Sequence, residues 1–186
     1  LSFIVRPCYR IRMAPDTNAS TDLLIAGLVH RLPWSRERVA EIFGAHALEF
    51  AIANVDRPQV TVALSDGSSR LALTPHETLD DTGDILNWSS RFAAVRLDFA
   101  RRHCALLTTN PRHAKWVLRF ITGALLARQG GLLVHAAGLV HDGRGFLYVG
   151  PSGAGKSTLA RIAAARGGTV LCDESVAVRF DGTTPY

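Results

Sequence analysis

Gly150-Pro151-Ser152-Gly153-Ala154-Gly155-Lys156-Ser157 is the stretch from which the rest of the chain is read. It matches G-x-x-x-x-G-K-[ST] at every fixed position, and each residue type has a physical task. Gly150, Gly153 and Gly155 let the backbone turn tightly and approach a ligand closely. The N–H groups of such a loop converge on phosphate oxygens, and the helix that follows aims its positive end at the same point. Lys156 supplies a mobile charge for β- and γ-phosphates, and Ser157 a hydroxyl for magnesium. The nucleotide-binding set is therefore expected to be Gly150, Pro151, Ser152, Gly153, Ala154, Gly155, Lys156, Ser157 and Thr158, with ATP and Mg2+ as its ligands. No base-reading motif separates ATP from GTP.

The flanks of the loop fit this reading. Leu133 to Val140 reads as a strand, His141-Asp142-Gly143-Arg144-Gly145 as a turn, and Phe146 to Val149 as the returning strand that runs into the loop. Asp-Gly supplies the positive φ that tight hairpins need. A helix is expected from about Lys156 to Arg166, closed by Gly167-Gly168. Thr169 to Cys172 then reads as a buried strand, and Val176 to Phe180 as a further one. Upstream, the spacing of Val117, Leu118, Ile121 and Leu125 predicts a helix over 111–129 with one face buried. Asn110 is its candidate cap, Pro111 suits its first position, and Gly130-Gly131 ends it.

Two further features stand near the loop in this order of elements. Asp173-Glu174 closes an apolar strand one strand–helix unit after the loop, where a carboxylate can take a proton from an attacking hydroxyl, position water or reach magnesium. His135 lies on the strand before the loop and can flank the phosphates; a lone strand histidine is more often structural. His141, in the turn, reads as solvated.

The first hundred or so residues read as mixed strand and helix without a motif that carries chemistry. Phe3-Ile4-Val5 and Tyr9 to Met13 look like short strands, and Pro15-Asp16-Thr17-Asn18 is turn chemistry. A short helix is predicted over Arg36 to Phe43, with Ser35 as N-cap and Gly44 after its end. Val60 to Leu64 and Arg70 to Leu73, flanking Ser65 to Ser69, read as a β-hairpin. Phe92 to Phe99 reads as another strand. The expected division is thus an α+β region over 1–110 and a nucleotide-binding core over 111–186.

Composition narrows the class. The chain has 186 residues, 47% hydrophobic and 20% charged, the profile of a globular protein that can bury a core. No apolar run approaches the roughly 18 residues of a membrane span, and no signal-peptide layout opens the chain, so a cytoplasmic location without membrane partners is expected. Cys8, Cys104 and Cys172 form no CxxC pair, so neither a zinc site nor a disulfide framework is indicated, and they read as buried small hydrophobes. The net charge of +5 comes from 19 arginines and two lysines, Lys115 and Lys156. The densest patch is Arg101-Arg102-His103 with Arg112-His113 and Lys115, read as a solvated face rather than a nucleic-acid surface. The chain opens on Leu1 and ends at Tyr186 soon after the loop, so a C-terminally incomplete core is expected.

The stretch from His135 to Val178 resembles the HPr kinase/phosphorylase family and the related kinases of peptide-modification clusters. The shared order is a histidine-bearing strand (His135), the Asp142-Gly143 turn, a strand, the loop Gly150 to Ser157, the helix from Leu159 to Arg166, and a strand ending in two acids, Asp173-Glu174. The likeness covers about a quarter of the chain. It implies an α/β fold with a mixed sheet, a carboxykinase-like P-loop kinase core preceded by the α+β region. It implies ATP, magnesium and phosphoryl transfer to a serine hydroxyl of a protein or peptide, and allows a homo-oligomer. By position, Lys156 would hold phosphates and Ser157 metal. Asp173 would be the base, Glu174 a metal or water partner, and His135 an acid/base modulator. The chain departs from the family at Thr158, where a glutamate is usual, at Glu174, where an aspartate is usual, and at Ala136-Ala137, where a glycine follows the histidine. These departures bear on HPr as the acceptor and on phosphorylase activity more than on nucleotide binding.

Two other classes fit the loop. A standard P-loop NTPase or small-molecule kinase would carry an all-parallel core, and a transporter ATPase an LSGGQ-like signature, which this chain lacks. A non-catalytic nucleotide-binding module would bind ATP without turnover.

Overall fold

A computed structural model describes residues 2–4, 20–53, 55–65, 71–108, 110 and 113–185. The architecture is mixed α/β, as expected, and the chain divides into two compact units: Leu1–Tyr9 with Thr122–Tyr186, and Arg10–Ile121. The division falls within a helix rather than at 110/111. The first strand, β1 (Ser2–Ile4), goes with the loop-bearing unit, because it pairs with a strand there. The strand expected at Tyr9 to Met13 and the turn at 15–18 lie outside the described residues.

The unit of Arg10–Ile121 is built on an eight-stranded mixed sheet. Its strands are β2 (Thr21–Ile25), β3 (Leu28–Leu32), β4 (Ala51–Ile52), β5 (Val60–Leu64), β6 (Thr78–Asp81), β7 (Ile85–Ser89), β8 (Ala93–Asp98) and β9 (His103–Thr108), in the order β4-β2-β3-β5-β9-β8-β7-β6. Helix α1 (Arg36–Phe43) forms as its caps direct. Ser35 Oγ accepts from the Arg38 N–H at 3.3 Å, Gly44 follows the last turn at φ 94°, and Val39, Ile42 and Phe43 are buried on one face.

The hairpin read at 60–73 does not form. Strand β5 instead pairs in parallel with β3 on one side, His30 opposite Val60, and with β9 on the other, Thr61 opposite His103. Both of its edges are thus occupied by distant strands. Leu71, Ala72 and Leu73 carry no strand and none is buried, and residues 66–70 lie outside the described residues. Burial selects this outcome: Val60 and Val62 need a covered central position, which a surface hairpin would not supply.

Polar groups inside this sheet are paired. Asp22 on β2 is fully buried and takes Arg31 of β3 in a bidentate ion pair, with Nε to Oδ1 and Nη2 to Oδ2 both at 2.8 Å, while the Val55 N–H donates to Oδ2 at 2.9 Å. His30, one strand position earlier, is fully buried, with Nδ1 at 3.1 Å from the Leu28 carbonyl oxygen.

Helix α2 (Ala114–Arg128) buries Val117, Leu118, Ile121 and Leu125, the face its periodicity predicts. Its expected start at Pro111 and Arg112 lies outside the described residues. It ends as expected, with the Gly131 N–H donating to the Leu126 carbonyl at 2.8 Å and Gly130 in the left-handed region at φ 73°.

In the loop-bearing unit follow β10 (Leu132–Val134), β11 (Ala136–His141), β12 (Arg144–Val149), α3 (Lys156–Ala165), β13 (Thr169–Cys172), β14 (Val176–Val178), β15 (Phe180–Asp181) and β16 (Thr184–Pro185). A four-stranded sheet has the order β1-β12-β11-β13, with every neighbouring pair antiparallel. The single strand read at Leu133 to Val140 is two strands broken at His135, because β10 pairs with β14 while β11 pairs with β12 and β13. The strand read at Val176 to Phe180 is likewise broken, at Arg179, where β14 gives way to the β15–β16 hairpin. No helix among the described residues is long and apolar enough to cross a membrane.

Burial lowers the pKa of the His30 imidazole from 6.5 to about 4, so the folded chain holds it neutral. Above pH 6.5 both folded and unfolded states carry a neutral ring. As pH falls from 6.5 towards 4, the unfolded chain takes up a proton that the folded one does not, and stability drops; below about 4 the loss levels off. This one group accounts for about 3 kcal/mol over that window. Urea unfolding across pH 4–7 should show that slope in the wild type and lose it in His30→Leu. An imidazole that titrates near 6.5 in the folded protein by NMR contradicts this account.

Candidate nucleotide site

The local sequence places the loop. Asp142 and Gly143 form the two-residue turn between β11 and β12, with φ of 50° and 70°. Positive φ at both positions is the primed geometry whose twist suits a hairpin. The turn sets the register from His141 opposite Arg144 to Ala136 opposite Val149. Strand β12 therefore ends, and the loop begins, level with the start of β11 and with His135.

Helix α3 is seated on β11. Ala137 and Leu139 pack with Ala160, and Leu159, Ala163 and Val170 close around them. Small side chains at 137 and 160 allow close approach, so the helix that carries Lys156 and Ser157 is anchored to the strand beside the loop. Gly155 caps α3 in the left-handed region at φ 86°, and Gly153 lies there too at φ 84°.

The loop is arranged as an anion cradle. The Ala154 N–H is used by the Pro151 carbonyl at 3.2 Å, but those of Gly153, Gly155, Lys156 and Ser157 donate to no acceptor among the described residues. They are the orphan donors of a helix start and its preceding nest. Lys156 is 9% exposed, and its Nζ donates to the Gly150 carbonyl at 2.7 Å and the Pro151 carbonyl at 2.9 Å. An ammonium has three donors, so one remains for a phosphate oxygen. Ser152, Ser157 and Thr158 are exposed, and Arg161 Nη2 stands 3.5 Å from the Thr158 hydroxyl. These features fit a triphosphate. Magnesium bound with it needs few protein oxygens because phosphates and water fill its other positions, and the Ser157 hydroxyl is accessible for this.

The acidic pair lies at the same edge of the sheet. Cys172, the last residue of β13, pairs with Gly138 on β11, which is itself opposite Leu147 on β12. Strands β12 and β13 run parallel to each other with β11 between them, so both leave the sheet on the same side. Across the strands the two exits lie two inter-strand spacings apart, about 10 Å, and β13 ends level with Gly138, two residues short of the level of Ala136 where β12 ends. Asp173 and Glu174 are both exposed. Asp173 makes no hydrogen bond or ion pair with the described residues, which leaves its carboxylate available to a ligand.

His135 joins the two halves of the site, in a way the sequence did not suggest. Its Nδ1 lies 2.7 Å from the Glu174 carbonyl oxygen and so donates to the backbone of the acidic turn. Its ring braces that turn, while Nε2 remains for other chemistry.

Cys172 is the contributor that sequence reading missed. Expected to be a buried hydrophobe, it is only half-buried, and its Sγ accepts the N–H groups of Glu174 at 3.5 Å and Ser175 at 3.3 Å. Cys104 does behave as expected: it is fully buried, and burial pushes its thiol up to about 12. Cys8 lies outside the described residues. The one signal for Cys172 was its place directly before two acids at a strand end. Gly138 was also passed over. A Cβ there would lie 2.9 Å from Val176 Cγ2, so its lack of a side chain lets the chain return across β11 just after the acids.

His135 and Cys172 hold the acidic turn by its backbone. Cys172→Ala should therefore speed amide exchange at Ser175 by about tenfold, the loss of one modest hydrogen bond, while α3 amides keep their protection. Unchanged exchange at Ser175 would remove the sulfur from this role.

Comparison with known proteins gave no match to a family model and no significant match to a curated protein.

Proposed function

We propose that this chain binds Mg·ATP at Gly150 to Thr158 and transfers its terminal phosphoryl group to a serine hydroxyl of a protein or peptide. The observation that carries this reading is the antiparallel hairpin β11–β12 feeding the loop, with His135 and the acidic turn at the same sheet edge. A standard P-loop NTPase core would give the loop's strand parallel neighbours. Here both neighbours of β12, β1 and β11, run antiparallel to it.

Mg·ATP supplies the electrophilic γ-phosphorus and the metal charge that offsets its oxygens. The residues of this chain divide the remaining work. The loop N–H groups and the Lys156 ammonium hold the phosphates and fix their direction. The Ser157 hydroxyl would hold the metal from the helix start, with Glu174 as a further metal or water partner. The Asp173 carboxylate accepts the proton of the incoming serine hydroxyl as the O–P bond forms and the bond to the leaving ADP oxygen breaks. His135 holds the turn that carries both acids. Arg161 beside Thr158 adds positive charge where the family resemblance has a glutamate.

Calorimetric titration with Mg·ATP tests the loop first. Wild type should bind, and Lys156→Ala should weaken binding roughly tenfold or more, the loss of one charged contact. Asp173→Asn should keep ATP affinity within about twofold and lower phosphoryl transfer to serine peptides by about 10²–10⁴-fold. Transfer by Asp173→Asn at the wild-type rate removes the assigned base. Tight ATP binding by wild type without transfer to any serine acceptor would instead favour a non-catalytic nucleotide-binding module.

A further inference from the structure

A second cluster of charge lies in the unit of Arg10–Ile121. A cavity of about 310 Å³ is lined by Asp56, Arg57, Pro58, Thr61, Arg101 and Arg102. The sequence patch of Arg101-Arg102-His103 is thus completed by Arg57, more than forty residues earlier. The parallel pairing of β5 with β9 brings them together: Thr61 stands opposite His103, and its N–H donates to the Arg102 carbonyl at 2.8 Å.

The turn that presents Arg101 and Arg102 is pinned. Asp98 Oδ1 accepts the Arg101 N–H at 2.8 Å, and Asp98 Oδ2 takes the Arg101 guanidinium at 3.0 Å. Arg102 holds φ 53°, a left-handed conformation rare for a residue with a side chain. Arg101 is offset by Asp98, whereas Asp56, which also lines the cavity, contributes a carboxylate that forms no ion pair with the described residues. Arg57 and Arg102 make no side-chain hydrogen bond or ion pair with the described residues.

We propose that this pocket binds a phosphate monoester through Arg57, Arg101 and Arg102. With Arg101 held by Asp98, Arg57 and Arg102 outweigh the single Asp56 carboxylate and leave the cavity net positive; a phosphate monoester carries −1.5 to −2 near pH 7, and planar guanidinium forks suit its oxygens better than ammonium groups do. The ligand is either a phosphorylated side chain of a polypeptide or a small phosphate ester. The inference does not rest on the kinase reading, because the pocket lies wholly within the other unit.

The test is NMR titration of the full chain carrying Lys156→Ala, so that the glycine-rich loop contributes little. The probes are inorganic phosphate, a phosphoserine hexapeptide and its glutamate counterpart. Phosphate and the phosphopeptide should move the amide signals of Thr61, Arg101 and Arg102. Arg57→Ala/Arg102→Ala should weaken phosphopeptide binding roughly tenfold or more, with an unchanged circular dichroism spectrum. Tighter binding of the phosphopeptide than of phosphate identifies a phosphorylated chain as the source; equal binding identifies a small ester. Absence of those shifts at millimolar phosphate and phosphopeptide overturns the proposal. So does a glutamate peptide that binds as well as the phosphopeptide, or a folded double variant with wild-type affinity.

Discussion

The candidate nucleotide site depends on one pairing, that of β11 with β12 through the Asp142-Gly143 turn. A two-residue turn with positive φ at both positions admits one register, and side chains alternate between faces along each strand. A slip of one residue would swing Ala137 and Leu139 away from α3 and leave the helix without its seat. It would also shift the loop along β11, away from His135. The positions of the loop and of α3 against β11 follow from this short antiparallel ladder.

The acidic turn is reached through a different set of forces. Strand β13 pairs with β11 across an irregularity between Gly138 and Leu139, and the Val176 side chain then packs so near Gly138 that a Cβ there would lie 2.9 Å from its Cγ2. Backbone groups of the turn are held by an imidazole nitrogen and a sulfur, so Asp173 and Glu174 keep their carboxylates exposed while the peptide beneath them is fixed.

The unit of Arg10–Ile121 follows another logic. Its central strands β3, β5 and β9 are parallel, so each must be covered and joined by distant chain. Buried polar groups there are matched closely, as with the forked Asp22–Arg31 pair and the neutral His30. The same non-local pairing that buries Val60 and Val62 also gathers Arg57, Arg101 and Arg102 around one cavity.

Local chemistry made much of this legible from residues alone. The glycine-rich loop, the Asp142-Gly143 turn, the Ser35 cap of α1 and the glycine stop of α2 each act over a few residues, and each appears where its sequence places it. The α2 stripe was readable because helical periodicity needs only one buried face. Partner choice was not readable. An apolar strand such as 60–64 has the same composition whether its neighbour is a hairpin arm or a strand forty residues away, and long-range burial decided for β9. The breaks at His135 and Arg179 mark where strands change partners, which alternation does not record. The sequence by itself determined the glycine-rich loop, because backbone conformation there is a property of glycine. Only the tertiary structure decided that His135 braces Glu174, that Cys172 accepts hydrogen bonds and that three arginines converge, because those contacts depend on how strands stack side by side.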